Sequence, residues 1–250
     1  MSMVQTWRRA RGVLRSLRIY YGHRGGRAGM DHLYGQFVRP GDLVFDIGAH
    51  VGDRVASFRR LNARVVAVEP QPALVKTLKL LYGGDGAVTI EPVAIGAQAG
   101  TVTLNLNIDN PTVSTVSTDF VRAAASAPGW EGQAWTQAIR VPITTLDDLI
   151  ARHGEPSFIK IDVEGFEAEA LAGLTRPVAA LSFEFTTIQP EVAAACIARC
   201  QALGYVRYNA VLGESRALVH PGWLSASQIA DWLAALPVAA NSGDVYAKLG

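Results

Sequence analysis

Apolar positions along the chain switch repeatedly between two spacings. Short apolar runs bounded by Gly, Pro, Asn or Asp alternate with stretches whose apolar residues recur every three or four positions. The first spacing reads as buried strands and the second as amphipathic helices. Their alternation predicts an α/β domain built on a mostly parallel sheet with helices on both faces. "DLVFDIG" is the first strand and "VASFRRLN" the helix after it. "ARVVAVEP", stopped by Pro70, is the second strand, and the helix "PALVKTLKLLYG" ends near Gly83. "AVTIEPVAIG" supplies a third parallel strand and "GTVTLNL" an edge strand.

Residues 107–142 interrupt this rhythm. "NIDNPTVSTVS" and "SAPGWEGQAW" are rich in turn residues and carry Trp130 and Trp135. A loop of this length is uncommon inside a compact domain and is often a functional lid. The two indoles serve either that lid or as plugs anchoring the segment to the core. The alternation then resumes. "TTLDDLIARHG" is a helix with Thr145 and Asp148 placed as a capping box and Gly154 at its end. "PSFIKIDVEG" and "VAALSFEFT" are the fourth and fifth strands, and "PEVAAACIARCQALG" a helix. "YVRYNAV" and "GDVYAKL" are the last strands, separated by the helix "SASQIADWLAAL".

Charge adds an N-terminal segment to this picture. Residues 1–30 hold seven arginines (Arg8, Arg9, Arg11, Arg15, Arg18, Arg24 and Arg27) and no acid, leaving the remainder at a formal charge of −6. The spacing of Val13, Leu14, Leu17 and Tyr21 predicts a basic helix with one apolar face. It lacks the apolar core and small-residue cleavage site of a secretory signal. We expect residues 1–38 to form a helical segment packing on the core, with possible contact to an anionic membrane surface or an acidic substrate. Residues 39–250 form the main domain, with no internal repeat or linker.

The bulk numbers narrow the class. At 250 residues, 49% hydrophobic and net +1, the chain has ample length for a full core and no global charge to draw nucleic acid. "DNPT" at Asp109 to Thr112 precedes the fourth strand and has no aromatic after its proline, so base methylation is not expected. No apolar run reaches the length of a membrane span. Cys196 and Cys200 are too few for a disulfide scaffold and have no histidine set to complete a metal site, so an intracellular, cytoplasmic setting is expected. His23, His32, His153 and His220 have no partner motif, and no feature fixes an oligomeric state.

Candidate chemistry begins at the first turn. Gly48 and Gly52 allow a sharp bend and close approach of a ligand, and Glu69 ends the next strand where a carboxylate can accept ribose hydroxyls. Asp46 decides between adenosine cofactors. A pyrophosphate at this helix N-terminus would be repelled by a carboxylate, whereas S-adenosylmethionine presents an ammonium and a sulfonium. The second constellation is "FIKIDVEGFE". Alternation sends Lys160, Asp162 and Glu164 to one side, with Glu167 just beyond and Glu184 on the neighbouring strand. Four carboxylates at the ligand-binding rim of a parallel sheet call for a cation, a shared proton or solvent. Lys160 and Glu184 read either as site groups or as an ion pair between adjacent strands.

"VFDIGAHVG", "VVAVEP", "VAIG", "TTLDDLI", "IKIDVEGFE" and "LSFEF", in this order, resemble the FkbM family of S-adenosylmethionine-dependent methyltransferases over roughly Arg39 to Phe185. The resemblance implies a class I methyltransferase (Rossmann-like) fold, a seven-stranded sheet in the order 3-2-1-4-5-7-6 with its last strand antiparallel. It implies O-methylation of a hydroxyl on a small molecule or sugar. By position, Asp46, Gly48, Ala49 and Gly52 would line the methionine and ribose, Glu69 would hold the ribose, and Val93 and Ala94 would lie near the adenine. Asp162 and Glu164 would face the reaction centre, with Glu167 and Glu184 in support. His50 stands where the family commonly has asparagine. Asp162 or Glu164 is then the candidate general base, and in a variant reading the acids hold Mg²⁺. The alternatives are a nicotinamide-dependent oxidoreductase, disfavoured by Asp46, and a cofactor-binding module without catalysis.

Overall fold

The computed structural model describes residues 3–22 and 25–250, the side chains of residues 3–6, 8, 9, 25 and 26 excepted. The side chains of Arg8 and Arg9, and the whole of His23 and Arg24, lie outside the described residues.

Two helices, α1 (Met3–Gly22) and α2 (Gly25–Tyr34), precede the sheet. The chain continues as β1 (Leu43–Ile47), α3 (Asp53–Arg60), β2 (Arg64–Val68), α4 (Pro72–Tyr82), β3 (Val88–Glu91), β4 (Ala94–Ile95) and β5 (Gly100–Leu106). There follow α5 (Thr118–Ser126), β6 (Gln137–Thr144), α6 (Leu146–His153), β7 (Phe158–Ile161), α7 (Glu167–Ala172) and β8 (Ala180–Thr186). The chain closes with α8 (Pro190–Ala202), β9 (Arg207–Leu212), α9 (Ala226–Ala234) and β10 (Ser242–Lys248). Seven strands form one sheet in the order β3-β2-β1-β7-β8-β10-β9. Pairing is parallel except for β10, which runs antiparallel to both neighbours. Counted along the chain, these strands give the expected 3-2-1-4-5-7-6.

Each central strand is buried on both faces, which is why its sequence is a continuous apolar run. On one face Phe45, Ile47, Ile159, Ile161, Leu181 and Phe183 pack against α6, α7, α8 and α9. On the other, Val44, Val65, Ala67, Phe158 and Tyr246 pack against Leu33 and Tyr34 of α2, Val55 and Phe58 of α3 and Leu78 of α4. A large apolar side chain so buried is worth about 1.5–3 kcal/mol over exposure. Cys196 and Cys200 are buried in the first layer as free thiols, and their one-turn spacing turns both inward.

Two expectations are corrected. "GTVTLNL" is an edge strand, but not of the seven-stranded sheet. As β5 it joins β4 and β6 in a separate three-stranded sheet, pairing antiparallel with β6 from Gly100↔Ile143 to Leu106↔Gln137. The segment 107–142 is correspondingly not one long loop: it holds a 3-10 turn (Pro111–Val113), α5 and most of β6. Ile139, Val141 and Ile143 alternate onto the same side as Leu104 and Leu106, and that shared apolar face drives the pairing.

The second correction concerns α1. The predicted inward face included Leu14, yet Leu14 is 64% exposed, and the buried positions are Gly12 and Ser16. A Cβ on Gly12 would come 2.6 Å from the Ile108 carbonyl oxygen, so the helix seats Gly12 against Ile108 and Pro111, with Val13 lining a pocket beside them.

Candidate active site

The ends of β1, β2 and β7 meet around one cavity. Gly48, just after β1, has φ 84°, and a Cβ there would stand 1.7 Å from the Asp162 carbonyl oxygen. Only glycine lets this turn lie against the end of β7, where the Asp162 amide donates to the Ile47 carbonyl at 2.9 Å. The His50 backbone is also left-handed, at φ 49°, and its amide donates to Glu69 Oε2 at 3.0 Å. The Gln71 amide donates to Glu69 Oε1 at 2.8 Å. Two backbone donors therefore fix the Glu69 carboxyl at the tip of β2.

The cavity encloses about 1160 Å³ of empty space, including its open mouth. Asp46, Gly48, Ala49, His50, Glu69, Val93, Ala94, Asp162, Glu164 and Glu184 all line it. Two expected residues do not. Gly52 faces α4, where a Cβ would meet Tyr82 Cε2 at 2.5 Å, so its role is to let α3 and α4 close together. Glu167 is buried and turns back on its own loop, its Oε1 accepting from the Val163 amide at 2.9 Å and the Gly165 amide at 3.3 Å. It is a positioning group for the 162–165 turn. At the apex of that turn Glu164 adopts φ 57°, an uncommon conformation for a residue with a side chain. Thr115 Oγ1 donates to the Glu164 carbonyl at 2.6 Å and holds it there.

Electrostatics divides the carboxyls into two kinds. Burial pushes Asp46 up to about 7 and Glu69 up to about 8. Burial, then the charges of Asp162 and Glu167, raises Glu164, and burial with Asp162 and Glu164 raises Glu184 in the same way. Asp162 moves the other way. Burial opposes its charge, but Lys160 first and then Arg54 outweigh that cost, and Glu184 hydrogen-bonds it. The site therefore favours the charged form of Asp162 and the neutral forms of Glu164 and Glu184. Lys160 is not the partner of Glu184: its Nζ lies 2.9 Å from Asp162 and 3.2 Å from Asp244, opposite Glu184 on β10. Burial lowers His50 to about 4, leaving a neutral imidazole 3.5 Å from Thr112 Oγ1.

Sequence reading missed several lining groups, three of which shape the site most. Asp244 comes from the far end of the chain and reaches the site only because β10 inserts beside β8. Arg54, ion-paired with Asp53 and with Glu214 at 3.2 Å, follows the turn immediately, and its charge beside Gly52 was the available signal. Tyr20 of α1 lies edge-on to His50 with ring centroids 5.4 Å apart. The tryptophans act as plugs: Trp130 and Trp135 meet Phe120 edge-on, and Trp135 Nε1 donates to the Val113 carbonyl at 2.7 Å.

Residues 46–232 match the methyltransferase FkbM domain family. The chain belongs to the FkbM methyltransferase family. A comparison with curated proteins gives no match. Among solved structures it is similar to the TehB-like SAM-dependent methyltransferase from Corynebacterium glutamicum, at 10% identity over 89% of this chain and 88% of that one, with a TM-score of 0.46. It is also similar to precorrin-6y C5,15-methyltransferase from Geobacter metallireducens, at 13% identity, 90% and 87% coverage and a TM-score of 0.42. Aeropyrum pernix fibrillarin, solved with natively bound S-adenosyl-L-methionine, matches at 11% identity, 84% and 68% coverage and 0.42. Family membership sets aside the nicotinamide oxidoreductase, and this FkbM methyltransferase has a donor set suited to S-adenosylmethionine. Asp46 Oδ2 is buried with no hydrogen-bond partner. Asp46 and Glu69 are acids that a cationic ligand would ionise, and the cavity wall at Val93 and Ala94 is apolar. No helix among the described residues is long and apolar enough to cross a membrane.

Proposed function

We propose that this FkbM methyltransferase methylates a hydroxyl oxygen of a small molecule or sugar, with Asp162 accepting the hydroxyl proton. The observation that carries this reading is the Asp162 carboxyl at the cavity wall, 2.9 Å from the buried Lys160 ammonium that favours its charged form. An alcohol must lose its proton as the new bond forms, and a charged oxygen within reach of the acceptor meets that need.

When bound, S-adenosylmethionine supplies a methyl group on a positively charged sulfur. The roles of the protein are then separable. Asp46 takes the ammonium, Glu69 the ribose hydroxyls, and Val93 and Ala94 flank the adenine. Asp162 orients the acceptor and holds its proton, while Lys160 keeps Asp162 ionised until then. Glu164, whose neutral form burial favours, donates a hydrogen bond to an acceptor oxygen, while Glu184 supports Asp162 through the hydrogen bond between them. Holding both reactants in line supplies up to roughly 7–11 kcal/mol of the acceleration in favourable cases.

Asp162→Asn is expected to lower kcat about 10²–10⁴-fold with cofactor affinity preserved. The assay follows transfer of labelled methyl from S-adenosylmethionine to a panel of sugars, polyketide-type alcohols, amines and carbon acids. Full activity in Asp162→Asn, or transfer confined to nitrogen or carbon acceptors, would contradict the reading. No transfer to any acceptor despite cofactor binding would favour a non-catalytic module. A second reading rests on geometry: Asp162, Glu164 and Glu184 each offer a carboxylate oxygen, all within 4.8 Å of one another. If the trio holds Mg²⁺, activity falls in EDTA and returns with added Mg²⁺.

A further inference from the structure

We propose that the outward face of α1, with the C-terminal end of α4, docks the protein on an anionic lipid bilayer. Eight large apolar residues are exposed among the described residues, and five of them lie here: Trp7, Leu14 and Ile19 on α1, Leu80 and Leu81 on α4. Leu80 is 85% exposed and Trp7 77%. At about 100° per residue, Trp7, Arg11, Leu14 and Arg18 fall in one stripe along the solvent side of α1, with Arg15 beside it and Ile19 farther round, toward the buried Gly12. All six are exposed. The two helices meet where the Tyr21 and Tyr82 hydroxyls lie 2.6 Å apart. Exposed Lys76 and Lys79 continue the positive charge onto α4. Asp109 borders Arg11 and Arg15, and Asp85 just beyond α4 is paired with Arg59, so Arg11, Arg15, Arg18, Lys76 and Lys79 leave the face basic.

The chemistry of the face selects its occupant. An ordinary solvated face would be polar and of mixed sign, without clustered Trp, Leu and Ile. A second copy of the chain would set arginine against arginine. Single-stranded nucleic acid would use planar groups for stacking, but four of the five apolar residues are aliphatic. A bilayer with acidic headgroups accepts both components: aliphatic and indole groups enter the interface while long basic side chains reach the phosphates. The opposite side of the same helix supplies Tyr20 to the cavity, so docking would hold that wall of the active site close to the lipid surface. This inference stands independently of the methyl-transfer reading.

The test is flotation of the full chain with phosphatidylcholine vesicles, with and without about 30 mol% phosphatidylglycerol. The native protein is expected to float with the anionic vesicles, far less with the neutral ones, and to be released by high salt. Arg11→Gln/Arg15→Gln/Arg18→Gln should weaken binding roughly a hundredfold. Trp7→Ser/Leu14→Ser should abolish flotation, and both variants should keep the native circular-dichroism spectrum and melting temperature, which establishes that they fold. The proposal is overturned if the native protein stays behind with anionic vesicles, or if both variants float unchanged. Binding of a short single-stranded RNA without vesicle binding, or a dimer lost in the variants without vesicle binding, would equally overturn it.

Discussion

The Asp46 carboxyl is fully enclosed, one of its oxygens has no partner, and burial holds its proton up to about 7. Glu69, the neighbouring acid, holds its proton up to about 8. A cationic cofactor arriving in this cavity favours the charged forms of both, so binding must expel protons. Titration with S-adenosylmethionine near pH 6.5, in buffers of different ionisation enthalpy, is expected to show net proton release. Affinity should rise with pH and level off above about 8. An affinity independent of pH from 6 to 8 would remove these two acids from cofactor recognition. Asp46 and Glu69 were legible in the sequence because Asp46 interrupts an apolar run one residue before its turn and Glu69 ends the next run. Asp244 was not: nothing in "GDVYAKL" shows that β10 will insert next to β8 and bring its carboxyl to Lys160.

At the scale of elements, the turn after β7 depends on its neighbours. Gly48 admits the Asp162 carbonyl, Thr115 bonds the Glu164 carbonyl, and Glu167 caps two amides of the same turn. Gly48→Ala places a methyl 1.7 Å from an oxygen and forces a residue with a side chain into φ 84°. It is expected to cost about 3 kcal/mol or more of stability, readable by chemical denaturation. Thr115→Val keeps the volume but removes the hydroxyl. It should lower kcat with little change in cofactor affinity, and an unchanged kcat would show that Glu164 needs no such support. The β7 turn was legible from "IKIDVEGFE", whereas its support from 107–117 was not. In that stretch and in β6, turn residues, two tryptophans and Pro142 obscure a period-two pattern that becomes meaningful only when β5 lies alongside. Leu14 shows the same limit on α1, since helical spacing marks an apolar face but not whether the core accepts it.

For the whole molecule, the buried acids link folding to pH. Asp46, Glu69 and Glu167 hold protons in the folded state up to about 7, 8 and 7, while in the unfolded chain they ionise near 4. Between those values the folded state binds more protons, so this contribution to stability is complete below about pH 4 and is lost as pH rises to about 8. Asp46→Asn removes one such group. Without cofactor it should raise Tm relative to the native protein at pH 8 and not at pH 5. A native advantage at pH 8 would contradict the assignment. The parallel core followed from the apolar runs, because each run must be covered on both faces, whereas the sheet order came from the family resemblance.

The most direct measurement is calorimetric titration of the native protein, Asp46→Ala and Glu69→Ala with S-adenosylhomocysteine, with NAD titrated in parallel. The account predicts micromolar binding to the native protein, its loss in both variants, and no heat from NAD. Binding of S-adenosylhomocysteine that survives both substitutions, or NAD binding in its place, would contradict it.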